Sequence, residues 1–316
     1  MKLHYIPLAL LCVAALSCDK FRNLANQADP SADIKPDPAL QKLVDQTPEG
    51  VIFRKDLPFP GKFEVKATNT QELSQRLVQS SAIENQASVV KGTRTTVTRT
   101  ERDGDHIRYS LIESTFAEPV IDQAKNSKEA KKPVVKQLAP ASNPVVFRKV
   151  GSVWKADNSE GFRAVSLSQN LSPVFDQILV DYALAPRALW FGKKRFKIGD
   201  QLVVSDKSLP MLIAGNAKGS LTLTLKSIEA VKGHPCGVFE VTGNYERKQA
   251  PDFEGVLTDE EVAIRSGKLW LSLIHPLVIK EELDTIQSTR TGAQGNAATR
   301  GQGSVKVTVT REWKQL

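Results

Sequence analysis

The chain has 316 residues, 41% of them hydrophobic, and its 43 Lys and Arg outnumber its 35 Asp and Glu, for a net charge of +8. This content is ample for a folded core and indicates one large or two modest domains. The basic residues are interspersed and no groove-reading motif occurs, so nucleic acid is not an expected partner. The densest basic patches, at residues 193–197 and 125–136, are typical of solvated surface, although anionic lipid or an acidic polymer is an alternative partner.

The chain begins with a basic residue and an apolar stretch over residues 6–16, followed by Ser17 and Cys18. This stretch is too short to span a bilayer and has the length of a secretory signal core. The pattern resembles the lipobox of bacterial lipoproteins, although Ala15 stands where that family usually has leucine. The resemblance implies a signal peptide over residues 1–17 and lipid attachment at Cys18. It also implies a location in the bacterial cell envelope, on the inner or outer membrane, with the domain in the periplasm or outside. Ordinary secretion after cleavage near Ala15 or Ser17 is the alternative.

Cysteine usage is consistent with a core that holds without disulfides. Cys12 lies in the signal, so acylation of Cys18 leaves Cys236 alone, and we predict that Cys236 is a buried structural thiol. Under ordinary secretion, with cleavage before Cys18, a bridge between Cys18 and Cys236 is the alternative.

Residues 18–47 are polar and rich in proline, which predicts a flexible tether with a short helix near residues 38–45. A β-rich domain is expected over residues 48–316. Its first part predicts a strand at 63–67, a brief helix at 70–78, and a hairpin of strands 87–101 and 107–113. Asp103-Gly104 between two alternating runs is a strong hairpin signal.

Residues 122–143 form a charged, proline-punctuated loop. This loop is either an excursion within one domain or a link between two β halves, at 48–121 and 144–316. A tight hairpin follows at 145–150 and 153–156. Ser172 as N-cap, with Pro173 at the first position, predicts the main helix, which Pro186 ends.

The remaining sequence alternates as a β meander. The predicted strands are residues 201–204, 220–228, 237–245, 261–264, 268–273, 278–291 and 304–313. Lys232-Gly233 and Ser266-Gly267 predict the turns of two hairpins. With about ten strands and one helix, the chain is predicted to be mainly β (α+β). We expect a large curved antiparallel sheet, or an open barrel, with the main helix packed on it.

Residues 196–202, 221–228 and 233–243 resemble an uncharacterised class of β-rich bacterial envelope lipoproteins, in which a strand ending in Gly-Asp precedes a hairpin with a turn, a glycine, a small residue and Phe-Glu. That class implies no known activity. The sheet-and-helix layout is similar to the half-barrel periplasmic carriers of lipoproteins and lipids, which is an analogy of fold alone.

Three short motifs that occur in catalytic or metal sites of other proteins are better explained here as structural residues. Ser88 and Lys91 lie in a strand pattern, where residues three apart point to opposite faces. His234 and Cys236 supply too few donors for a metal and are interpreted as turn and core residues. Residues 259–261 form an acidic run whose neighbours point apart, typical of an exposed cap. We therefore predict no catalytic residues, metal or cofactor.

Four aromatic residues are the best binding candidates: Trp154, Trp190, Phe191 and Trp270. They are either core residues or the lining of an apolar pocket. The sequence thus favours a membrane-anchored, non-enzymatic binding or structural protein that carries a hydrophobic ligand or binds an envelope protein. The alternatives are an envelope hydrolase with an unrecognised site and a scaffold that binds a partner.

Overall fold

The computed structural model describes the chain in segments. These are residues 36–54, 56–57, 61–78, 87–118, 134–138, 145–150, 153–156, 191, 193–205, 209, 216–248, 256–275, 277–293 and 299–316. Within them are fourteen strands and one short helix. The prediction of a mainly β fold built on one large antiparallel sheet is confirmed.

The short helix α1 (Pro38–Gln41) precedes a two-stranded hairpin, and the other strands form the main sheet. The hairpin is β1 (Asp45–Thr47) and β2 (Gly50–Ile52). The main sheet contains β3 (Lys62–Val78), β4 (Ala87–Asp103), β5 (His106–Glu118), β6 (Val134–Leu138), β7 (Val145–Val150), β8 (Val153–Ala156), β9 (Gln201–Ser205), β10 (Asn216–Val231), β11 (His234–Lys248), β12 (Val256–Ser272), β13 (Val278–Ala293) and β14 (Thr299–Gln315).

Two meanders make up the main sheet. The strand order is β8-β7-β5-β4-β3-β14-β13-β12-β11-β10-β9, with β6 paired to β5, and every pairing is antiparallel. The order has two ends within the described strands, so the sheet is open and the barrel alternative is not what these strands form. Strands from both predicted halves belong to this one sheet, since β7 pairs with β5 and β14 pairs with β3.

The strands are long, and tight turns gather at one end of the sheet. A strand of seventeen residues extends roughly 55 Å. At the end where β3 begins, Gly104 (φ +55) turns β4 into β5, while Lys232 (φ 50) and Gly233 (φ 79) turn β10 into β11. Both turns were predicted from sequence. We call this end the turn end.

The helix predicted over residues 70–78 is wrong. These residues continue β3, which pairs with β14 from Phe63 to Val78 and with β4 from Lys62 to Arg76. Two long neighbouring ladders override the helical spacing of Leu73 and Leu77, because pairing satisfies the backbone on both sides of the strand.

The hairpin predicted at Ser266-Gly267 is also wrong. Residues 256–272 form the single strand β12, and the predicted turn is a bulge between Ile264 and Ser266 in the pairing with β13. A bulge uses one extra residue and leaves the strand direction unchanged, so the local turn signal was correct but its size was not. The main helix predicted from Ser172 to Pro186 lies outside the described residues.

The core divides into two clusters on opposite faces of the sheet. Successive side chains of a strand point to opposite faces, and Val238 and Phe239 accordingly belong to different clusters. The front cluster contains Phe53, Phe191, Phe196, Leu223 and Phe239 among others. The back cluster consists of Val231, Cys236, Val238, Trp270, Leu277 and Ile279, with Trp313 packed against it.

The structure describes residues 36–47 of the region predicted as a tether. The side chain of Asp37 caps α1 by accepting a hydrogen bond from the backbone N–H of Ala39 at 2.8 Å. The backbone N–H of Asp37 donates to the carbonyl of Gly233 at 2.8 Å. The chain therefore joins the sheet at the turn end, beside the β10–β11 turn.

Candidate functional site

The predicted aromatic residues do not form one group. Phe191 is buried in the front cluster and Trp270 in the back cluster, so the sheet itself separates them. Trp190 lies outside the described residues, as does the side chain of Trp154. The two aromatic residues whose side chains are described are therefore parts of two different packed clusters.

The front cluster is filled by four phenylalanine rings. Phe53 stacks on Phe191 with ring centroids 4.5 Å apart and meets Phe196 edge-on at 5.7 Å. Phe239 closes the group at 5.3 Å from Phe53. A β-carbon added at Gly237 would lie 2.5 Å from Cζ of Phe53. The rings thus pack to contact against the backbone of β11, which is an arrangement for holding the β1–β2 hairpin on the sheet.

Trp270 on the back face is surrounded by charged groups as well as apolar ones. Its indole Nε1 donates to Glu229 Oε2 at 3.4 Å. The ammonium of Lys280 lies 4.9 Å from the indole centroid and 2.9 Å from Glu282 Oε1. The charge of Lys280, which is 7% exposed, is therefore shared between a π-face and a carboxylate.

A buried polar group lies at the turn end, where β11 begins and β12 ends. His234 Nε2 is 2.6 Å from Ser272 Oγ. That oxygen accepts from the backbone N–H groups of Ile274 at 3.2 Å and His275 at 3.1 Å. Two acceptor positions of the oxygen are thus occupied, an arrangement that suits donation of the hydroxyl proton to the imidazole. Because Ser272 is fully buried, the group fastens the β12–β13 connection to β11.

Cys236 is buried, as predicted from sequence. Its thiol donates to the carbonyl of His234 at 3.3 Å. Nowhere in the described ranges do three or more His, Cys, Asp or Glu side chains gather where they could hold a metal ion.

Ion pairs join neighbouring strands within β11 to β14. Arg247 donates from Nε at 2.9 Å and Nη2 at 2.6 Å to Glu260, whose side chain is 2% exposed. Arg311 Nη1 lies 2.6 Å from Glu281 Oε1. Nearby, burial raises the pKa of Tyr245 above its ordinary value of 10.0. These groups lock neighbouring strands in register.

The acidic run at residues 259–261 was expected to be an exposed cap. Asp259 and Glu261 are exposed and Glu260 is buried, so the neighbours do point apart. The expectation of full exposure is wrong for Glu260, because its register partner is Arg247 on β11. Pairing across strands supplied the countercharge that burial needs.

The predicted basic patch lies in a loop, residues 193–200, which we call the basic loop. Lys193, Lys194 and Lys197 are exposed, and Ile198 is 60% exposed. The loop is anchored by Phe196, which exchanges backbone hydrogen bonds with Val51, each 2.9 Å long. The backbone N–H of Lys197 and the ammonium of Lys194 lower the pKa of Asp200.

Several of these groups were not singled out from the sequence. Ser272, Lys280 and Arg311 are ordinary polar positions in alternating strands, and only the strand register reveals their partners. Ile198 had a local signal, since an isoleucine followed by Gly-Asp stands next to the densest basic run.

Comparisons with known proteins identify no family. No protein-family model matches the chain, and no curated protein matches it. A mutant of Rh. blastica porin is among the solved structures found to be similar, with 7% sequence identity and a TM-score of 0.21, covering 78% of this chain and 99% of that chain. At this TM-score the likeness does not establish a shared fold. Within the described residues, no helix has the length and apolar character needed to cross a bilayer.

Proposed function

We propose that this chain is a bacterial envelope lipoprotein with a non-enzymatic binding or structural role. Residues 1–17 are removed, Cys18 carries the acyl chains, and the β-rich domain stands off the inner or outer membrane. The observation that carries the proposal is the position of Cys18, directly after a small residue and a short apolar segment that follows a basic start. Two or more acyl chains anchor stably, so no further membrane-binding element is required.

The layout after Cys18 supports this proposal. Seventeen residues separate Cys18 from Pro36, where the described chain begins, and this segment is polar and contains Pro30. The hydrogen bond from Asp37 to Gly233 joins the segment to the end of the sheet that holds the tight turns. A tether arriving there leaves the opposite ends of the long strands farthest from the membrane.

Metabolic labelling with palmitate tests the anchor. Wild-type protein should incorporate the label and fractionate with membranes, whereas Cys18→Ser should lose the label and retain an uncut signal. Cys12→Ser is the matched control, because Cys12 lies inside the signal and should not affect labelling. Unlabelled wild type, or equal behaviour of the two variants, would contradict the proposal.

The charged and aromatic contacts of the sheet support a structural role better than an active site. The His234–Ser272 pair resembles half of a hydrolytic site at 2.6 Å, but the serine is fully buried and its oxygen already accepts two backbone bonds. A fluorophosphonate probe should therefore leave native protein unmodified, while modification at Ser272 would favour the hydrolase alternative.

A hydrophobic-ligand carrier is the second candidate. Its support is the front face, which buries aromatic and aliphatic side chains from Leu271 along β12 to Val262. In this version the predicted helix over residues 172–186 covers the face, and the ligand lies between helix and sheet. Native mass spectrometry should then find lipid that co-purifies with the protein after detergent exchange, and ligand-free protein would refute this candidate without affecting the anchor.

A further inference from the structure

We propose that the basic loop is a second point of contact with the membrane, at which Ile198 enters the headgroup region of an anionic bilayer and Lys193 and Lys197 contact lipid phosphates. This inference rests on the proposed function, because acylated Cys18 is what brings the domain to the bilayer. It identifies the surface of the domain that faces the membrane.

Ile198 is held out of the core by a fixed backbone. Phe196, two residues earlier, is 2% exposed and bonded to Val51 on both its N–H and its carbonyl. The N–H of Gly199 donates to the carbonyl of Leu225 at 2.8 Å. Asp200 closes the turn by accepting from the N–H of Lys197 at 3.1 Å. Since one side of the turn is bonded to β2 and the other to β10, the exposure of Ile198 is a feature of the fold.

Two lysines beside Ile198 are directed to solvent. Lys194 is engaged, with its ammonium 3.3 Å from Asp200 Oδ2 and 4.7 Å from the centroid of the Phe196 ring. Arg195 is engaged with Asp45 at 2.7 Å. Lys193 and Lys197 are exposed, and among the described residues neither forms an ion pair, although Lys197 has a coulombic interaction with Asp200. An apolar tip between such lysines matches a surface that has phosphate at its boundary and hydrocarbon just beneath.

The tether supports this choice of partner. It meets the sheet at Gly233, and the basic loop is bonded to Leu225, about 20 Å from Val231 along the same strand. The nineteen residues from Cys18 to Asp37 reach at most about 65 Å when fully extended. The loop therefore lies closer to the attachment of the tether than the opposite strand ends, which lie roughly 55 Å from the turn end.

A single fluorophore on the complete acylated protein tests the contact. Ile198→Cys is labelled with a nitrobenzoxadiazole maleimide. Cys12 leaves with the signal, Cys18 is acylated and Cys236 is fully buried, so position 198 is the one reactive thiol. Ile286→Cys on β13, where the native side chain is 39% exposed, is the matched control. In vesicles of phosphatidylcholine and phosphatidylglycerol, doxyl lipids should quench the label at 198 several-fold more than the label at 286.

Charge reversal tests the role of the lysines. The double variant Lys193→Glu, Lys197→Glu, made in the Ile198→Cys protein, removes two positive charges from the basic loop. It should lower the equilibrium constant for contact between the loop and the bilayer by about fivefold per lysine removed. Lys268→Glu with Lys306→Glu, which reverses two exposed lysines on β12 and β14, should leave the quenching unchanged. Vesicles of phosphatidylcholine alone, or high salt, should reproduce the effect of the first pair.

Equal quenching at positions 198 and 286 would overturn the proposal. Quenching at position 198 that changes neither when the anionic lipid is left out nor when the lysines are reversed would overturn it as well. Failure of the anchor is a separate result, because the unlabelled wild-type protein would then not float with vesicles at all. Protein that floats without quenching at 198 refutes this contact alone.

Discussion

Adding one methyl group at Gly237 should destabilise the protein mainly through the ring of Phe53, since the other close side-chain atom, Leu225 Cδ1, lies farther away at 3.2 Å. The added β-carbon would lie 2.5 Å from Cζ and 2.9 Å from Cε1 of that ring. Carbon atoms prefer a separation of about 3.5–4.0 Å, so the ring must move by about 1 Å. Phe53 cannot move freely, because it is 1% exposed and stacked on Phe191.

The magnitude follows from two opposing contributions. Overpacking a well-filled core costs about 1–3 kcal/mol. Alanine in a strand is favoured over glycine by about 0.5–1 kcal/mol. Gly237→Ala should therefore lower the free energy of unfolding by about 1–2 kcal/mol. In a Phe53→Leu background the clashing ring atoms are absent, and the same substitution should be neutral or stabilising by up to about 1 kcal/mol.

Equilibrium urea denaturation of the four proteins in this double-mutant cycle gives the coupling energy directly. Phe63→Leu is the control background, because Phe63 is equally buried but contacts Trp313 instead of Phe53. There Gly237→Ala should keep its full cost. If the cost of Gly237→Ala is the same in all three backgrounds, the packing of Phe53 against β11 described above is incorrect.

Three further outcomes are expected. Glu260→Gln should lower the free energy of unfolding by about 2–3 kcal/mol, because it removes the charge from a buried ion pair. Asp284→Asn, in the more exposed pair with Arg265, should lower it by less than about 1 kcal/mol, and urea denaturation of both variants compares the two losses. Tyr245 should ionise above its ordinary pKa of 10.0 in an alkaline absorbance titration, since burial raises its pKa in the folded state. The stability linked to Tyr245 is full below pH 10 and is lost as the pH rises beyond that value, because the unfolded state then releases the proton first. Ser272→Ala should lower the free energy of unfolding by about 2–4 kcal/mol, because it removes the hydroxyl that two backbone N–H groups and an imidazole contact. Thermal and urea unfolding measure this loss, and a loss below about 1 kcal/mol would contradict the buried network.

The sequence predicted best where the determining forces are local. Asp103-Gly104 and Lys232-Gly233 are turns in which Gly104 and Gly233 take the positive φ that glycine readily adopts, and the alternating runs beside them are strands. The spacing of Leu73 and Leu77 gave a wrong prediction because helical spacing is also local, whereas the pairing of β3 with β14 brings together residues more than two hundred positions apart. Ser266-Gly267 indicated a local irregularity, which is a bulge within one strand and not a turn between two.

The candidate sites depended on register, which a single sequence does not give. Glu260 resembles its two acidic neighbours until β11 places Arg247 opposite it. Phe191 and Trp270 were grouped because both are large and aromatic, yet they lie in clusters on opposite sides of the sheet. Cys236 was predicted correctly because a lone cysteine beside alternating apolar residues is most stable when buried.

The pairing of β14 with β3 has a consequence for synthesis. Residues 299–315 form a strand in the middle of the sheet, and the backbone N–H of Leu316 donates to the carbonyl of Lys62. The two meanders therefore cannot join until these residues have left the ribosome. A deletion of residues 299–316 would expose the sixteen residues of β3 and the twelve residues of β13 that pair with β14, and such edges pair readily with other chains.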